Sequence, residues 1–165
     1  MTTSDEADHL PASATGLDAG SYLLEKGLEF CRKGEWDAGL DYLEKFANRE
    51  KSADRPSLFY SYTGYGIAHR QRRIKEGIRL CKHAVKMEFF QPDNYLNLAR
   101  TYLLAKNRRA AFRALRKGLE IDADHPELVE LHESLGARRR PVLPFFSRRN
   151  PLNRLLGSIR HGIRK

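Results

Sequence analysis

A residue pattern recurs three times along this chain, at a spacing close to the length of one helical hairpin. A small residue marks the same point in each copy, at Gly39, Gly77 and Ala111, so the separations are 38 and 34 residues. The positions four and seven residues later also correspond and hold Leu43, Cys81 and Leu115, then Phe46, Ala84 and Gly118. A fixed period of this length is typical of stacked repeats, in which each unit buries its apolar face against its neighbours. Such stacks usually present a binding surface rather than a catalytic cleft.

Each copy has the apolar spacing of two amphipathic helices joined by a tight turn. The predicted helices span residues 20–33, 36–50, 57–71, 74–89, 92–105 and 108–121, with a capping helix over 126–135. Proline stands near the start of each later unit, where its missing N–H leaves no hydrogen bond unmade. The longer first interval predicts four extra residues in the connection near 47–55. The predicted fold is all-α: an α-solenoid of three antiparallel helix-turn-helix repeats with a capping helix and a basic C-terminal tail.

Further small and aromatic residues recur at fixed positions of the three copies. The matching residues are Tyr95, Leu98, Ala99, Tyr102, Ala111, Leu115, Gly118 and Pro126 in repeat three, Gly27, Phe30, Gly34, Trp36, Gly39 and Leu43 in repeat one, and Ala68, Gly77, Cys81 and Ala84 in repeat two. In these positions, over about residues 20–136, the chain resembles the tetratricopeptide repeat family. The alignment sets Tyr65 opposite Gly27 and Ala99. For the first helix of repeat two, an alignment shifted by one residue is the alternative.

The resemblance implies a concave groove lined by the first helix of each repeat. By register, the groove residues would be Leu24, Leu28, Cys31, Arg32, Phe59, Tyr62, His69, Arg70, Leu96, Arg100 and Leu103. The leucines, Phe59 and Tyr62 would be apolar anchors, while Arg32, Arg70 and Arg100 would orient acidic groups of a helical or extended partner segment. The alternative for any one of these residues is packing between helices.

One subtype of the family clamps the C-terminal carboxylate of chaperone peptides through Lys, Asn and Arg side chains. The corresponding positions here hold Leu24, Leu28, Thr63, Asp93 and Asn97. Since no cation stands at any of them, the sequence argues against a cochaperone of that kind.

The charge of the chain is unevenly distributed and suggests three segments. Residues 1–135 hold 21 Lys/Arg and 21 Asp/Glu, whereas residues 136–165 hold nine Lys/Arg and no acid. We expect a disordered acidic leader over 1–18, the repeat domain with its capping helix over 19–136, and a basic tail with a short amphipathic helix over 137–165. The tail residues predicted to make contacts are Arg138, Arg139, Arg140, Phe145, Phe146, Arg148, Arg149, Leu152, Leu155, Leu156 and Ile159.

These features predict an adaptor or scaffold that binds an unknown protein or peptide carrying apolar and acidic groups. The alternative is a tether that acts through the basic tail, on an anionic membrane surface or, with less support, on nucleic acid. Docking of the tail in the chain's own groove and homo-oligomerisation are also open. The expected location is the cytoplasm, with peripheral membrane association as an alternative.

Residues with catalytic or metal-binding potential are scattered. The two cysteines, Cys31 and Cys81, fall in different repeats, and the six histidines show no ligand spacing with a third group nearby. The glycines stand at packing positions and turns rather than in a phosphate-binding loop. The sequence therefore predicts no enzyme, no metal and no cofactor.

Overall fold

A computed structural model describes residues 16–135, which form seven α-helices and no strand. They are α1 (Gly16–Arg32), α2 (Trp36–Arg49), α3 (Ser57–Arg70), α4 (Ile74–Met87), α5 (Pro92–Leu104), α6 (Arg108–Ile121) and α7 (Pro126–Ser134). Each predicted helix is confirmed; six of the seven start at the predicted residue, and α1 starts four residues earlier. The predicted basic tail and nearly all of the acidic leader lie outside the described residues, and the segment boundaries stay predictions.

The turn inside each repeat has three residues, but its hydrogen bonds differ in repeat two. The N–H groups of Glu35 and Asn107 donate to carbonyls five residues back, whereas that of Arg73 donates to the carbonyl of Ile67, six residues back. The middle residue adopts a positive φ, at Gly34 (84°), Arg72 (60°) and Lys106 (56°). This left-handed conformation favours glycine, so only the first turn carries the residue type that it prefers. Asn107 ends the third turn and caps α6, because its side-chain oxygen accepts a hydrogen bond from the N–H of Ala110 at 3.1 Å.

The longer connection after repeat one forms a short 3-10 turn over Ser52–Asp54. Arg55 follows this turn and donates from Nη2 to the carbonyl oxygens of Ala47 at 2.6 Å and Glu50 at 2.9 Å. The last carbonyls of a helix lack partners within the helix. The extra residues therefore bring a guanidinium back to the end of α2, and they account for the longer first interval.

Glycines let the two helices of a repeat approach closely. A Cβ on Gly27 would lie 3.2 Å from the carbonyl oxygen of Gly39, and one on Gly64 would lie 3.0 Å from that of Gly77. Gly64, rather than Tyr65, is therefore the counterpart of Gly27. The alignment of repeat two that sets Tyr65 opposite Gly27 is wrong by one residue, and the shifted register is confirmed.

The first helices form one layer and the second helices another. Helices α1, α3 and α5 contact each other in that order, while α2, α4 and α6 pack against first helices rather than against one another. Leu43, Leu96 and Leu115 are buried between the layers. At the far end, Leu128 of α7 is fully buried and points at Gly118 of α6.

A buried polar seam joins α3 to α5. Asn97 donates to the hydroxyl of Ser61 at 2.9 Å, and Asn94 donates to that of Ser57 at 3.0 Å. These groups are shielded from water, so each hydrogen bond also offsets the cost of burying its partners. The seam sets the register of repeat three on repeat two.

The residues up to Leu131 form one compact unit, and of the second unit the structure describes only residues 132–135. Among the described helices, none has the length and apolar character that crossing a membrane requires.

A candidate binding groove along the first helices

Four aromatic rings from two repeats meet at the turn of repeat one. Trp36 packs edge-on against Tyr65, with 4.8 Å between ring centroids, and lies 6.3 Å from Tyr62 and 6.2 Å from His69. His69 also stacks on Tyr65 at 5.6 Å. Tyr62 is buried, but the other three rings are half-buried and keep surface open to solvent. We call these four residues the aromatic cluster.

Two arginines flank the aromatic cluster on opposite sides. The guanidinium of Arg32 on α1 lies 5.6 Å from the centroid of Tyr62, and that of Arg100 on α5 lies 5.8 Å from the centroid of Tyr65. Both distances lie within the range of a cation–π contact. The cluster and these arginines span all three first helices, so a ligand here would contact every repeat.

Asp93 at the start of α5 connects the groove side of all three repeats. Its carboxylate accepts a hydrogen bond from the hydroxyl of Tyr62 at 3.1 Å and lies 4.0 Å from Arg32. Nε2 of His125, just before α7, is 3.8 Å away. The side chain of Asp93 is 17% exposed, so the network holds a half-buried charge in place rather than offering it to solvent.

The tyrosines of the cluster hold their protons tightly. Burial raises the pKa of Tyr62, and the charge of Asp93 raises it further. Burial also raises the pKa of Tyr65, with Arg100 acting in the opposite direction. Both hydroxyls are therefore neutral at physiological pH, and that of Tyr62 serves as a hydrogen-bond donor.

A shallow depression of about 280 Å³ opens beside the aromatic cluster. It is lined by Gly34, Glu35, Trp36, Asp37, Ala38, His69 and Arg70. Arg70 forms a two-pronged ion pair across it, with Nε 2.7 Å and Nη2 2.5 Å from the carboxylate oxygens of Asp37. The depression therefore has one aromatic wall and one charged edge, and it suits a small apolar side chain with a polar neighbour.

The residues predicted to line the groove fall into two groups. Half-buried or exposed are Leu24, Arg32, His69, Arg70, Arg100 and Leu103. Buried in the interior are Leu28, Cys31, Phe59, Tyr62 and Leu96. Phe59 packs on Phe46 at a centroid distance of 5.4 Å, away from the aromatic cluster. For the buried group, packing between helices accounts for the side chain.

Sequence reasoning missed Trp36 and Tyr65 as groove residues, and it identified Asp93 only as a clamp position that lacks a cation. The repeat pattern includes both Trp36 and Tyr65, but its alignment puts Tyr65 at a position that packs between helices. The signal that could have found Tyr65 is Gly64, since a glycine immediately before it offers the better partner for Gly77. Nothing in the sequence alone marks Asp93 as the meeting point of three repeats.

Within residues 16–135, no group of three His, Cys, Asp or Glu side chains is arranged to hold a metal ion. Cys31 and Cys81 are free and buried, and burial raises the pKa of each thiol to about 12. A thiol with so high a pKa is a weak nucleophile at neutral pH. Both sulfurs therefore fill the interior.

No protein-family model matches the chain, and no curated protein sequence matches it significantly. Several solved structures share its architecture. The TPR domain of Arabidopsis OM64 superposes with a TM-score of 0.57 at 12% identity, covering 73% of this chain and 97% of that one. The TPR domain of P58(IPK) superposes with a TM-score of 0.60 at 18% identity, covering 73% of this chain and 33% of that one.

A third similar structure contains a peptide. It is the first TPR of Spaghetti (RPAP3) bound to the HSP90 peptide SRMEEVD, with a TM-score of 0.55 at 14% identity, covering 71% of this chain and 90% of that one. This chain has the fold of a tetratricopeptide repeat domain. At these identities the likeness establishes the tetratricopeptide repeat fold and leaves the ligand to be argued from the residues of the groove.

Proposed function

We propose that this protein is an adaptor that binds a segment of a partner polypeptide along α1, α3 and α5. The observation that carries the proposal is the half-buried aromatic cluster between Arg32 and Arg100. Trp36 and Tyr65 present ring surface that the interior does not cover. Aromatic and arginine side chains in such partly enclosed places commonly dominate the energy of protein interfaces.

The chemistry of the groove points to a segment that carries both apolar and acidic side chains. An apolar side chain of the partner would pack on Trp36 and His69 in the adjacent depression. Acidic groups would pair with Arg100, whose guanidinium lies 5.8 Å from the ring centroid of Tyr65, and with Arg32. The buried leucines would support these residues from behind without touching the partner.

The proposal assigns the chain a binding role and no reaction. The tetratricopeptide repeat fold is an interaction scaffold, and one of the similar structures, the first TPR of Spaghetti, holds the acidic peptide SRMEEVD. That peptide has the composition proposed here, with Met and Val among glutamates and an aspartate. The absence of a carboxylate clamp stays a prediction for this chain.

Peptide binding can be followed through Trp36, because it is the single tryptophan of the chain. An array of short synthetic peptides that varies apolar and acidic positions, with SRMEEVD among them, would identify a binding sequence. We expect Tyr65→Ala and Arg100→Gln each to lower the affinity for that peptide by about tenfold. Arg113→Gln is the matched control, because Arg113 is an exposed arginine on α6, outside the first-helix layer.

The results distinguish three readings of the groove. Equal affinity for wild type, Tyr65→Ala and Arg100→Gln would refute a groove centred on the aromatic cluster. Binding of SRMEEVD that is lost when its C-terminus is amidated would indicate a carboxylate clamp after all. Loss in the groove variants with full binding by Arg113→Gln and by the amidated peptide is the expected outcome.

A further inference from the structure

The outward side of α4 carries a row of exposed cations. Lys75, Arg79, Lys82 and Lys86 are all exposed and follow one another at intervals of three or four residues. On a helix this spacing places side chains along one face. The row runs the full length of α4 in the second-helix layer, away from the proposed peptide groove.

Helix α6 adds Arg109, Arg113, Arg116 and Lys117 to the exposed cations of this layer. Residues 70–117 contain 14 basic side chains and three acids, Glu76, Glu88 and Asp93. Glu76 pairs with Arg73 at 2.6 Å and lies 3.8 Å from Arg79, Glu88 accepts a hydrogen bond from Ser57, and Asp93 belongs to the groove network. Outside the segment, Asp37 pairs with Arg70 and Glu120 lies 3.4 Å from Arg116. These acids are fewer than the cations, and the excess positive charge includes Lys82 and Lys86 of the α4 row.

An exposed apolar group lies at the end of the row on α4. Phe89 and Phe90 follow α4 and are 69% and 62% exposed, with their rings edge-on at 5.4 Å, and Met87 is 42% exposed. Large apolar side chains clustered on a surface usually mark a place that another molecule covers. Here they begin one residue beyond Lys86.

The same end of the domain also holds Ile121, which is 40% exposed at the end of α6. The ends of α4 and α6 both lie beside the start of α5: Asn94 donates to the carbonyl of Glu88, and a Cβ on Gly118 would lie 3.2 Å from that of Tyr95. However, Asp122 and Asp124 follow α6 directly. Because Asp122 and Asp124 would be repelled by an anionic surface, α4 rather than α6 is the centre of such a contact.

We infer that α4, with Met87, Phe89 and Phe90 at its end, is a docking surface for an anionic lipid bilayer. The cations complement anionic headgroups, each nearby Lys or Arg strengthening binding about fivefold. The two phenyl rings and Met87 carry no hydrogen-bonding group and enter the boundary between headgroups and acyl chains, as apolar residues of interfacial helices do. Charge alone would suit any polyanion, and it is the apolar end that selects lipid.

The test compares variants of the full chain on vesicles of phosphatidylcholine, with and without phosphatidylserine. Lys82→Glu with Lys86→Glu should weaken co-sedimentation with the anionic vesicles at least about 25-fold. The matched control is Lys45→Glu with Arg49→Glu, which makes the same change in net charge on exposed residues of α2. Since the basic residues 136–165 are present in every variant, their contribution cancels in the comparison.

A second variant separates lipid from other anionic partners. Phe89→Ser with Phe90→Ser leaves the charge unchanged and should weaken binding to the anionic vesicles about tenfold or more. Circular dichroism checks that each variant is folded. If Lys82→Glu with Lys86→Glu unfolds the chain, the neutral variant Lys82→Gln with Lys86→Gln is measured in its place.

Three outcomes would overturn the inference. The α4 and α2 charge variants could lose binding equally, which would make net charge sufficient. The phenylalanine variant could bind vesicles as the wild type does. Alternatively, the chain could bind a single-stranded RNA oligonucleotide through Lys82 and Lys86 and fail to bind the vesicles. That result would identify this face as a nucleic-acid surface.

Discussion

Replacing Gly77 by alanine tests whether backbone contact between α3 and α4 holds repeat two together. An ideal Cβ at this position would lie 2.7 Å from the Cβ of Ala68 and closer still to the carbonyl oxygen of Gly64. Carbon atoms in contact normally lie about 3.5–4.0 Å apart, so the two helices would have to separate by roughly 1 Å. Neither neighbour can rotate away, because one is backbone and the other is a Cβ.

The expected cost follows from two opposing effects. Overpacking a rigid contact costs about 3 kcal/mol, at the upper end of its usual range. Alanine favours a helix over glycine by about 1 kcal/mol, which offsets part of that cost. The net expectation is a loss of about 2 kcal/mol in the free energy of unfolding, or roughly 8 °C in Tm for a domain of this size.

Gly20→Ala in α1 is the matched control for this experiment. A Cβ at Gly20 would meet the carboxylate end of Glu50, which is a flexible side chain that can move aside. The same helix-propensity gain should then appear with little clash, so this variant should be neutral or more stable by up to about 1 kcal/mol.

Urea denaturation followed by far-UV circular dichroism gives both free energies, and Tm is measured alongside. If Gly77→Ala proves as stable as Gly20→Ala, then α3 and α4 are not in backbone contact at this point, and the glycine packing argument for repeat two fails.

Three further predictions concern the interior. Leu128→Ala should cost about 3 kcal/mol in urea denaturation, because Leu128 is fully buried against Gly118; a loss below about 1 kcal/mol would mean that α7 does not cap repeat three. A thiol reagent at pH 8 should modify Cys31 and Cys81 only after unfolding. Since burial raises the pKa of both thiols from 9.0 to about 12, the folded chain keeps protons that the unfolded chain releases, and stability should fall as pH rises from 9 towards 12. Rapid labelling of the folded chain, or constant stability over that range, would contradict this.

The helices were predictable because their signals are local. Apolar periodicity, the prolines at the starts of α3, α5 and α7, and the small residues Gly39, Gly77 and Ala111 act within one hairpin. Each reports the geometry of the chain nearby, and the structure places the six helices after α1 within two residues of the predicted ends.

The groove was predictable only in part. Arg32, His69 and Arg100 do meet at the aromatic cluster, whereas Leu28, Phe59 and Leu96 are interior. A one-residue error in the register of repeat two hid Tyr65, because a shift of one residue rotates every side chain of a helix by about 100°.

The sequence by itself therefore determined the number of helices, their order and, at Gly39 and Gly77, the points on the second helices where the paired helices touch. Which side of each first helix stays uncovered by the other helices was decided only by the tertiary structure. Helix α3 is packed by α1, α2, α4 and α5 and is buried on nearly every side, so its periodicity does not distinguish groove from interior. The contacts of Asp93 could not be predicted from the sequence either. Its partners Arg32, Tyr62 and His125 come from elements far apart in the chain and meet only when the repeats stack.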